Sequence, residues 1–195
     1  VAWGFGEFDQ MALKLADTGF SVSTSKANRG AKPQKEGPKN EFPKIPPVEA
    51  DLKFKSGGGG MVSTALDYAS FCQFWLNGGE LDGVRLVSRK TIELMTADHL
   101  PPGTRMGADM SRFEALLPSP SMGQGFGLGF AVRNEIGRSP LHGSPGDYYW
   151  GGAHGTYFWV DPKEKMFAVL MMQSPLSRLP YRYLMRELVY QALDK

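Results

Sequence analysis

The chain has 195 residues, of which 42% are hydrophobic and 22% are charged, and its formal net charge is +2. This length suits one ordinary domain or part of a larger one, and the composition is typical of a globular protein. The small net charge argues against a nucleic-acid-binding surface. The longest unbroken apolar run, residues 166–172, is too short to form a membrane helix. We therefore expect neither nucleic acid nor membrane as a partner.

Cysteine and histidine content limits the metal and redox chemistry open to the chain. Cys72 is the single cysteine, which excludes an internal disulfide and a cysteine-based zinc site. Its apolar helical context predicts a small core residue and not a catalytic thiol. The three histidines share no metal-ligand spacing, so we expect no metal and no cofactor; they are His99, His142 and His154.

The chain divides into three segments by composition. Residues 1–25 form a lead-in without clear periodicity. Residues 26–55 are rich in proline and lysine, with eight basic and four acidic side chains. Such a segment buries little, and we interpret it as a long solvated surface loop and not as a docking site. Residues 56–195 form the main domain.

The main domain opens with a well-signalled helix. A glycine run at residues 57–60 leads into it, and this run lacks the Gly-Lys-Ser/Thr ending of a phosphate-binding loop. Either Ser63 or Thr64 caps the helix, Asp67 lies three residues beyond Thr64, and residues 77–79 end it. Its broad apolar surface predicts a helix that is largely buried.

Shorter elements follow in chain order. Asp82 and Gly83 predict a two-residue hairpin turn, and Ser88 caps a second helix that we expect to run to about Asp98. Residues 125–132 alternate glycine with large apolar residues, which predicts one strand against which another element packs closely.

The last part predicts a strand hairpin and a closing helix. Residues 157–160 and 166–173 flank a turn, and the second strand is apolar throughout, so we expect it to be central and covered on both faces. Pro180 fits the first turn of the closing helix. An apolar stripe on this helix comprises Leu184, Leu188, Val189, Ala192 and Leu193. Helices followed by a strand meander and a helix laid on the sheet indicate an α+β fold, with an antiparallel sheet backed by helices.

One weak catalytic pattern lies near the start of the chain. Ser23 and Lys26 form a Ser-x-x-Lys, a spacing at which a desolvated lysine on the next helical turn acts as base for the serine. The flanks are polar and lead into the Pro/Lys-rich segment, so we interpret the match as coincidence. No Gly-x-Ser-x-Gly elbow is present, and no nucleophile is identified.

The most unusual stretch is Trp-Gly-Gly-Ala-His-Gly-Thr at residues 150–156. At the start of a strand, backbone without side chains lets a ligand approach and exposes peptide N–H groups to it. The same pattern fits a tight turn into a sheet with a buried tryptophan. Spacing alone leaves both interpretations open.

Several segments together resemble the serine β-lactamase-like hydrolases, and most closely the class C β-lactamases and family VIII carboxylesterases. These segments are residues 56–71, 77–88 and 150–162, with residues 17–20 and 125–130 in the same order. The resemblance covers about residue 17 to the C-terminus. It implies a β-lactamase/transpeptidase-like fold, also that of penicillin-binding proteins, which we expect to be incomplete in this chain.

The resemblance also implies roles for individual residues. The family's nucleophilic serine, its lysine and a tyrosine base belong to a portion that precedes the matching residues, and Ser23 does not match the nucleophile position. The family's third motif is Lys-Thr-Gly in β-lactamases and often Trp-x-Gly in the esterases. It matches Trp150-Gly151-Gly152, which would then form a wall of the substrate-binding site. Ala153 then falls where the family's strand supplies a backbone N–H to the oxyanion hole.

Two departures from the family pattern bear on the substrate. Trp150 replaces the lysine that helps to hold a β-lactam carboxylate, which favours esters. His154 stands where a small residue is expected. One interpretation is that it touches the acyl group; the more common case is a histidine that is satisfied at the surface or that lies behind the residues in contact with substrate.

The function implied is part of a serine hydrolase that cleaves small carboxylic esters, or β-lactams, through an acyl-enzyme. The substrate would be a small ester or amide, and the N-terminal half of the same enzyme or another copy of the chain would complete the site. The alternatives are a non-catalytic module that binds acyl or peptide-like ligands, and an inactive truncated fragment without the nucleophile. The lack of disulfides favours a reducing compartment, and the expected location is the bacterial cytoplasm.

Overall fold

The computed structural model of the chain describes residues 53–54, 61–104 and 118–193. The lead-in segment, nearly all of the Pro/Lys-rich segment, the glycine run, Ser23 and Lys26 lie outside the described residues. No helix in the described part is long and apolar enough to cross a membrane. The helices are α1 (Ala65–Leu76), α2 (Arg89–Met95) and α3 (Arg178–Gln191), and the strands are β1 (Glu80–Leu81), β2 (Val84–Arg85), β3 (Gln124–Phe126), β4 (Ala131–Arg133), β5 (Tyr148–Gly151), β6 (Tyr157–Asp161) and β7 (Met166–Leu170).

Helix α1 begins where its capping residues predict. The Thr64 hydroxyl accepts a hydrogen bond from the Asp67 backbone N–H at 3.1 Å and donates one to the Asp67 carboxylate at 2.8 Å. The expectation of a largely buried helix is wrong for the described residues. Cys72 and Trp75 are buried on the face toward the sheet, whereas Leu66 is 68% exposed. Among the described residues, the helix packs on the sheet through one face, and no element covers the other.

The hairpin and the second helix follow the local signals closely. Strands β1 and β2 pair through a turn in which Asp82 and Gly83 both have positive φ, of 50° and 79°. This is the conformation that a two-residue hairpin requires. Ser88 caps α2 by accepting a hydrogen bond from the backbone N–H of Thr91. The helix ends three residues before Asp98, because the Met95 carbonyl accepts from the Leu128 N–H at 2.8 Å and the His99 N–H donates to the Phe126 carbonyl instead.

The main sheet is an antiparallel meander in the order β3-β4-β5-β6-β7. The expectation of one strand at residues 125–132 is wrong, because the segment folds into the β3–β4 hairpin. The Gly127 N–H donates to the Phe130 carbonyl at 2.8 Å, and Gly129 has a φ of 105° that side chains rarely adopt. Close packing was correctly predicted, since a Cβ on Gly125 would lie 2.0 Å from the Asp98 carboxyl carbon.

The position predicted for β7 is also wrong. Within the described residues, β7 is the edge strand and only one of its residues is buried, whereas all five residues of β6 are buried. An apolar strand composition does not distinguish an edge from a centre, because an adjacent helix covers a sheet face without providing a strand partner. Here β7 contacts α1 as well as β6.

Two apolar layers lie on opposite faces of the sheet. Toward α1, Cys72 and Trp75 pack with Phe130, Tyr148 and Phe158. Cys72 is fully buried, as predicted, and burial raises the pKa of its thiol to about 12. Toward α3, the cluster contains Tyr157, Trp159 and Ala168 with Met185, Val189 and Tyr190.

Helix α3 does not face the sheet through the predicted stripe alone. Leu184 and Leu193 are 37% and 41% exposed. Arg182 and Arg186, by contrast, are only 6% and 0% exposed and are therefore buried. These two arginines find hydrogen-bond acceptors and aromatic rings on the sheet, so their charged ends occupy positions that sequence periodicity assigns to apolar side chains.

Candidate active site

Residues 150–156 join the end of β5 to the start of β6. The stretch therefore does not open a strand, as one interpretation of the sequence required. Strand β5 ends at Gly151, and residues 152–156 form a tight turn. Within this turn the Gly152 N–H donates to the Thr156 carbonyl at 2.9 Å, and the Gly155 N–H donates to the Gly152 carbonyl at 3.1 Å.

Internal packing explains the glycines of this turn. A Cβ on Gly151 would lie 2.6 Å from the guanidinium carbon of Arg182, and a Cβ on Gly152 would lie 2.3 Å from the Thr156 hydroxyl oxygen. Gly155 has a φ of 128°, and its missing side chain leaves space for Met172. The tight-turn interpretation therefore accounts for the glycines without a ligand.

Arg182 reaches the turn from α3. Its Nη2 donates to the carbonyls of Gly152 at 2.5 Å and Thr156 at 2.7 Å, and its Nε donates to the Gly155 carbonyl at 3.4 Å. Its guanidinium also lies 5.4 Å from the centre of the Tyr157 ring. One side chain therefore holds both ends and the middle of the turn.

Ala153 lies at the exposed tip of the turn. Its backbone N–H has no hydrogen-bond acceptor in the part of the chain that the structure describes. A peptide donor that is held in a tight turn and has no internal acceptor is the chemical group that an oxyanion hole needs.

Trp150 and His154 flank this donor. Trp150 is half-buried and packs edge-to-face against Phe126, with the ring centres 5.3 Å apart. His154 is half-buried in the turn, and its carbonyl accepts a hydrogen bond from the Ser174 N–H at 2.7 Å. The five predicted site residues thus lie together on one hairpin, with an aromatic wall on the strand and an open amide at its tip.

Sequence reasoning missed a buried ionic cluster behind the hairpin. One Asp147 carboxylate oxygen accepts hydrogen bonds from Arg133 at 2.9 Å and from Arg186 at 2.5 Å, and all three side chains are at most 1% exposed. Arg186 also donates to the Tyr157 hydroxyl at 2.9 Å and lies 5.1 Å from the centre of the Trp159 ring.

The charges in this cluster shift one another's protonation. Burial raises the pKa of Asp147, and the guanidinium groups of Arg186 and Arg133 oppose that rise. Burial alone would lower the pKa of Arg186, but the facing Tyr157 and Asp147 raise it above its ordinary value. The signal that could have revealed the cluster is the four-residue spacing of Arg178, Arg182 and Arg186 on a helix that packs against an aromatic sheet.

The fold and this hairpin define a serine β-lactamase-like domain, and comparison with known proteins agrees. The chain belongs to the beta-lactamase family, because the family model described as Beta-lactamase matches residues 11–189. Two curated Mycobacterium tuberculosis proteins, "Uncharacterized protein MT1414" and "Protein Rv1367c", are each 32% identical over 166 residues. These matches cover 82% of this chain but only 40% of each relative.

Solved structures show the same architecture. The chain is similar to EstCE1, "a hydrolase with promiscuous acyltransferase activity", with a TM-score of 0.57, 25% identity, and coverage of 72% of this chain and 33% of that one. It shares a fold with the simvastatin synthase LovD from Aspergillus terreus, with a TM-score of 0.50, 19% identity, and coverage of 66% and 33%. The described residues thus form part of a β-lactamase-like domain.

Proposed function

We propose that this chain is part of a serine hydrolase that cleaves small carboxylic esters through an acyl-enzyme. In this proposal the chain supplies the oxyanion-hole amide and one wall of the substrate pocket. The serine nucleophile, its lysine and the tyrosine base come from a preceding portion of the same enzyme or from a second polypeptide. EstCE1, which is described as a hydrolase with acyltransferase activity, supports this class of chemistry.

The observation that carries the proposal is the Ala153 N–H at the exposed tip of the turn, which has no hydrogen-bond acceptor among the described residues. When a serine oxygen bonds to an ester carbonyl carbon, the carbonyl oxygen gains negative charge, and a fixed N–H stabilises that charge. Collapse of this intermediate expels the alcohol and leaves the acyl group on the serine, and water then releases the acid. An amide fixed beforehand needs no reorganisation at the moment of reaction.

The aromatic wall supports esters over β-lactams as substrates. Trp150 carries no positive charge, whereas a cation at this position would pair with a substrate carboxylate. Its ring and that of Phe126 offer apolar surface to an acyl or alcohol group.

A fluorophosphonate probe tests where the nucleophile lies. The probe is applied to cell extracts that contain the native protein, and the labelled species is recovered and mapped by mass spectrometry. We expect the labelled species to contain peptides of this chain. The adduct itself should lie on the serine of a Ser-x-x-Lys other than Ser23, in the same polypeptide or in a second polypeptide of the same complex. An adduct on Ser23 would contradict the proposal, as would folded native material that takes no adduct.

Substitution of Ala153 tests the oxyanion role in the labelled, active material. Ala153→Pro removes the N–H, whereas Ala153→Ser keeps it and serves as the matched control. We expect kcat for p-nitrophenyl butyrate to fall on the order of 100-fold in the proline variant and little in the serine variant. Equal kcat values for the two variants, at equal melting temperature, would rule out this donor.

A further inference from the structure

We infer that Arg182 is a positioning residue that sets the direction of the Gly152–Ala153 peptide group and thereby aims the Ala153 N–H. The catalytic part of this inference rests on the proposed function, and the structural part does not.

The first step of the argument is the geometry of one peptide unit. The carbonyl of Gly152 and the N–H of Ala153 belong to the same planar group, and the peptide bonds of the described residues are trans. In a trans peptide the C=O and the N–H point in opposite directions. Because the Gly152 oxygen accepts from Nη2 of the buried Arg182 at 2.5 Å, the Ala153 N–H must point away from α3.

The second step is that this direction depends on the two bonds that the Gly152 carbonyl accepts, one from the Gly155 N–H at 3.1 Å within the turn and a shorter one from Arg182. Gly151 and Gly152 precede the peptide, and glycine allows backbone rotations that other residues resist. A rotation of the Gly152–Ala153 peptide would turn the carbonyl outward and the N–H inward. The bond from Arg182 opposes that rotation, and its companion bond to Thr156 holds the guanidinium in place.

The third step concerns charge. Arg186 forms a salt bridge with the carboxylate of Asp147. Arg182 forms no salt bridge in the described part of the chain, and its buried N–H groups donate to backbone carbonyls. A buried cation without a carboxylate partner is costly for stability. A cation bonded to a peptide oxygen also polarises that peptide and strengthens its N–H as a donor. Both effects favour an anion at the Ala153 amide.

The test compares three variants of the active protein. Arg182→Met removes every donor but keeps an unbranched side chain, and Arg182→Lys keeps the charge and a single donor group. Arg186→Lys is the matched control, because it alters the next buried arginine of α3 without touching the carbonyls of residues 152–156. Measurements are kcat and KM for p-nitrophenyl butyrate per folded molecule, and crystal structures of the variants.

We expect kcat of Arg182→Met to fall on the order of 100-fold, with KM changed by less than about threefold, because the lost interaction forms in the transition state. Arg182→Lys should recover part of the loss, and Arg186→Lys should keep the kcat of the unaltered protein although its melting temperature falls. In the crystal, the Gly152 oxygen of Arg182→Met should leave its inward position. If Arg182→Met does not fold, Arg182→Lys carries the same comparison.

The results separate this inference from the proposed function. A lack of esterase activity in the unaltered protein would contradict the proposed function. The crystal structures would still show whether Arg182 sets the direction of the Gly152–Ala153 peptide. A Gly152–Ala153 peptide that keeps its direction in the Arg182 variants overturns the inference. So does a kcat loss in Arg186→Lys equal to that in Arg182→Lys, since the effect would then be one of general stability.

Discussion

At the residue scale, the candidate site depends on contacts made by side chains of α3, on the opposite face of the sheet from α1. Gly151 has no side chain because the Arg182 guanidinium occupies that space, and Arg182 is available there because α3 lies across the sheet. Conformational freedom alone does not explain Gly151, whose φ lies outside the left-handed region. The residue type at 151 thus depends on a helix that begins at residue 178.

Cys72 should be chemically inert in the folded protein. It is fully buried, and burial raises the pKa of its thiol to about 12, so almost no thiolate forms near pH 8. We expect no reaction with Ellman's reagent over the time in which the unfolded chain reacts fully. Absorbance at 412 nm with and without denaturant measures this. Fast labelling of folded protein would show that α1 separates readily from the sheet.

Removal of the Asp147 charge should be strongly destabilising. Asp147→Asn leaves Arg133 and Arg186 buried without a carboxylate, and we expect the free energy of unfolding to fall by about 3 kcal/mol or more. Tyr190→Phe is the control, because it removes one hydrogen bond, 2.7 Å long, to Asp161 and should cost about 1 kcal/mol. Urea denaturation compares the two, and equal losses would mean that the Asp147 cluster is not ionised.

At the element scale, local capping signals determine where the two early helices begin, whereas the end of α2 depends on a neighbouring element. The first residues of α1 and α2 follow their capping hydroxyls. At the end of α2 the Met95 carbonyl accepts from the Leu128 N–H at 2.8 Å, and the Asp98 carboxylate beyond it accepts from the Phe126 N–H at 3.0 Å and from Asn134 at 2.6 Å. The His99 N–H also donates to the Phe126 carbonyl at 2.9 Å, so the segment after α2 runs along the edge of β3.

The two candidate caps of α1 should differ in their effect on stability. Thr64→Ala removes the hydroxyl that accepts from the Asp67 N–H, and we expect a loss of about 1 kcal/mol in the free energy of unfolding. Ser63→Ala is the matched control, because within the described part of the chain its hydroxyl bonds to nothing but the adjacent Thr64 carbonyl. Thermal denaturation followed by circular dichroism distinguishes them. A larger loss of stability for Ser63→Ala than for Thr64→Ala would show that Ser63, and not Thr64, caps the helix.

The link from Asp98 to the sheet should depend on pH. Partial burial raises the pKa of this carboxyl, but hydrogen bonds from Leu100, Phe126 and Asn134 lower it below its ordinary value. A lowered pKa in the folded state contributes stability above the unfolded pKa, near 3.9, and this contribution is lost as pH falls through the folded pKa.

Asp98→Asn should therefore be less stable than the unaltered protein at pH 7, by less than about 1 kcal/mol because the carboxylate is exposed. The difference should be constant above about pH 4 and should close as the pH falls through the lowered pKa of the folded state. Urea denaturation at several pH values from 7 down to about 2 measures it, and Asn134→Ala should reproduce part of the loss. A difference that stays constant with pH would assign the effect to packing.

At the scale of the whole molecule, the described residues form a sheet between two helical layers with surfaces left uncovered. The outer edge of β7 has no strand partner among the described residues. Several large apolar side chains are more than two-thirds exposed; they are Phe54, Met61, Val62, Leu66, Leu86 and Leu176. An unpaired strand edge beside apolar surface favours association.

The purified 195-residue chain should therefore self-associate or bind a complementary portion of the enzyme. Sedimentation velocity at low ionic strength should show species larger than a monomer, and a charged substitution at the exposed end of the edge strand, Met171→Lys, should reduce them. Thr91→Lys, on α2 and away from this edge, is the control for added charge. A single monomeric species of the unaltered chain would contradict the proposal that another portion completes the site.

The sequence by itself determined the α+β class, the caps of both early helices, the Asp82-Gly83 turn and the burial of Cys72. These features depend on residues close together in the chain, or on side-chain polarity. The sequence also brought Trp150 to His154 together, since they are consecutive. Tertiary structure decided that residues 125–132 form a hairpin, that β7 lies at an edge of the sheet formed by the described residues, and that buried arginines line α3. Each of these depends on groups distant in the chain that approach only after packing, and the direction of the Ala153 amide is decided in the same way.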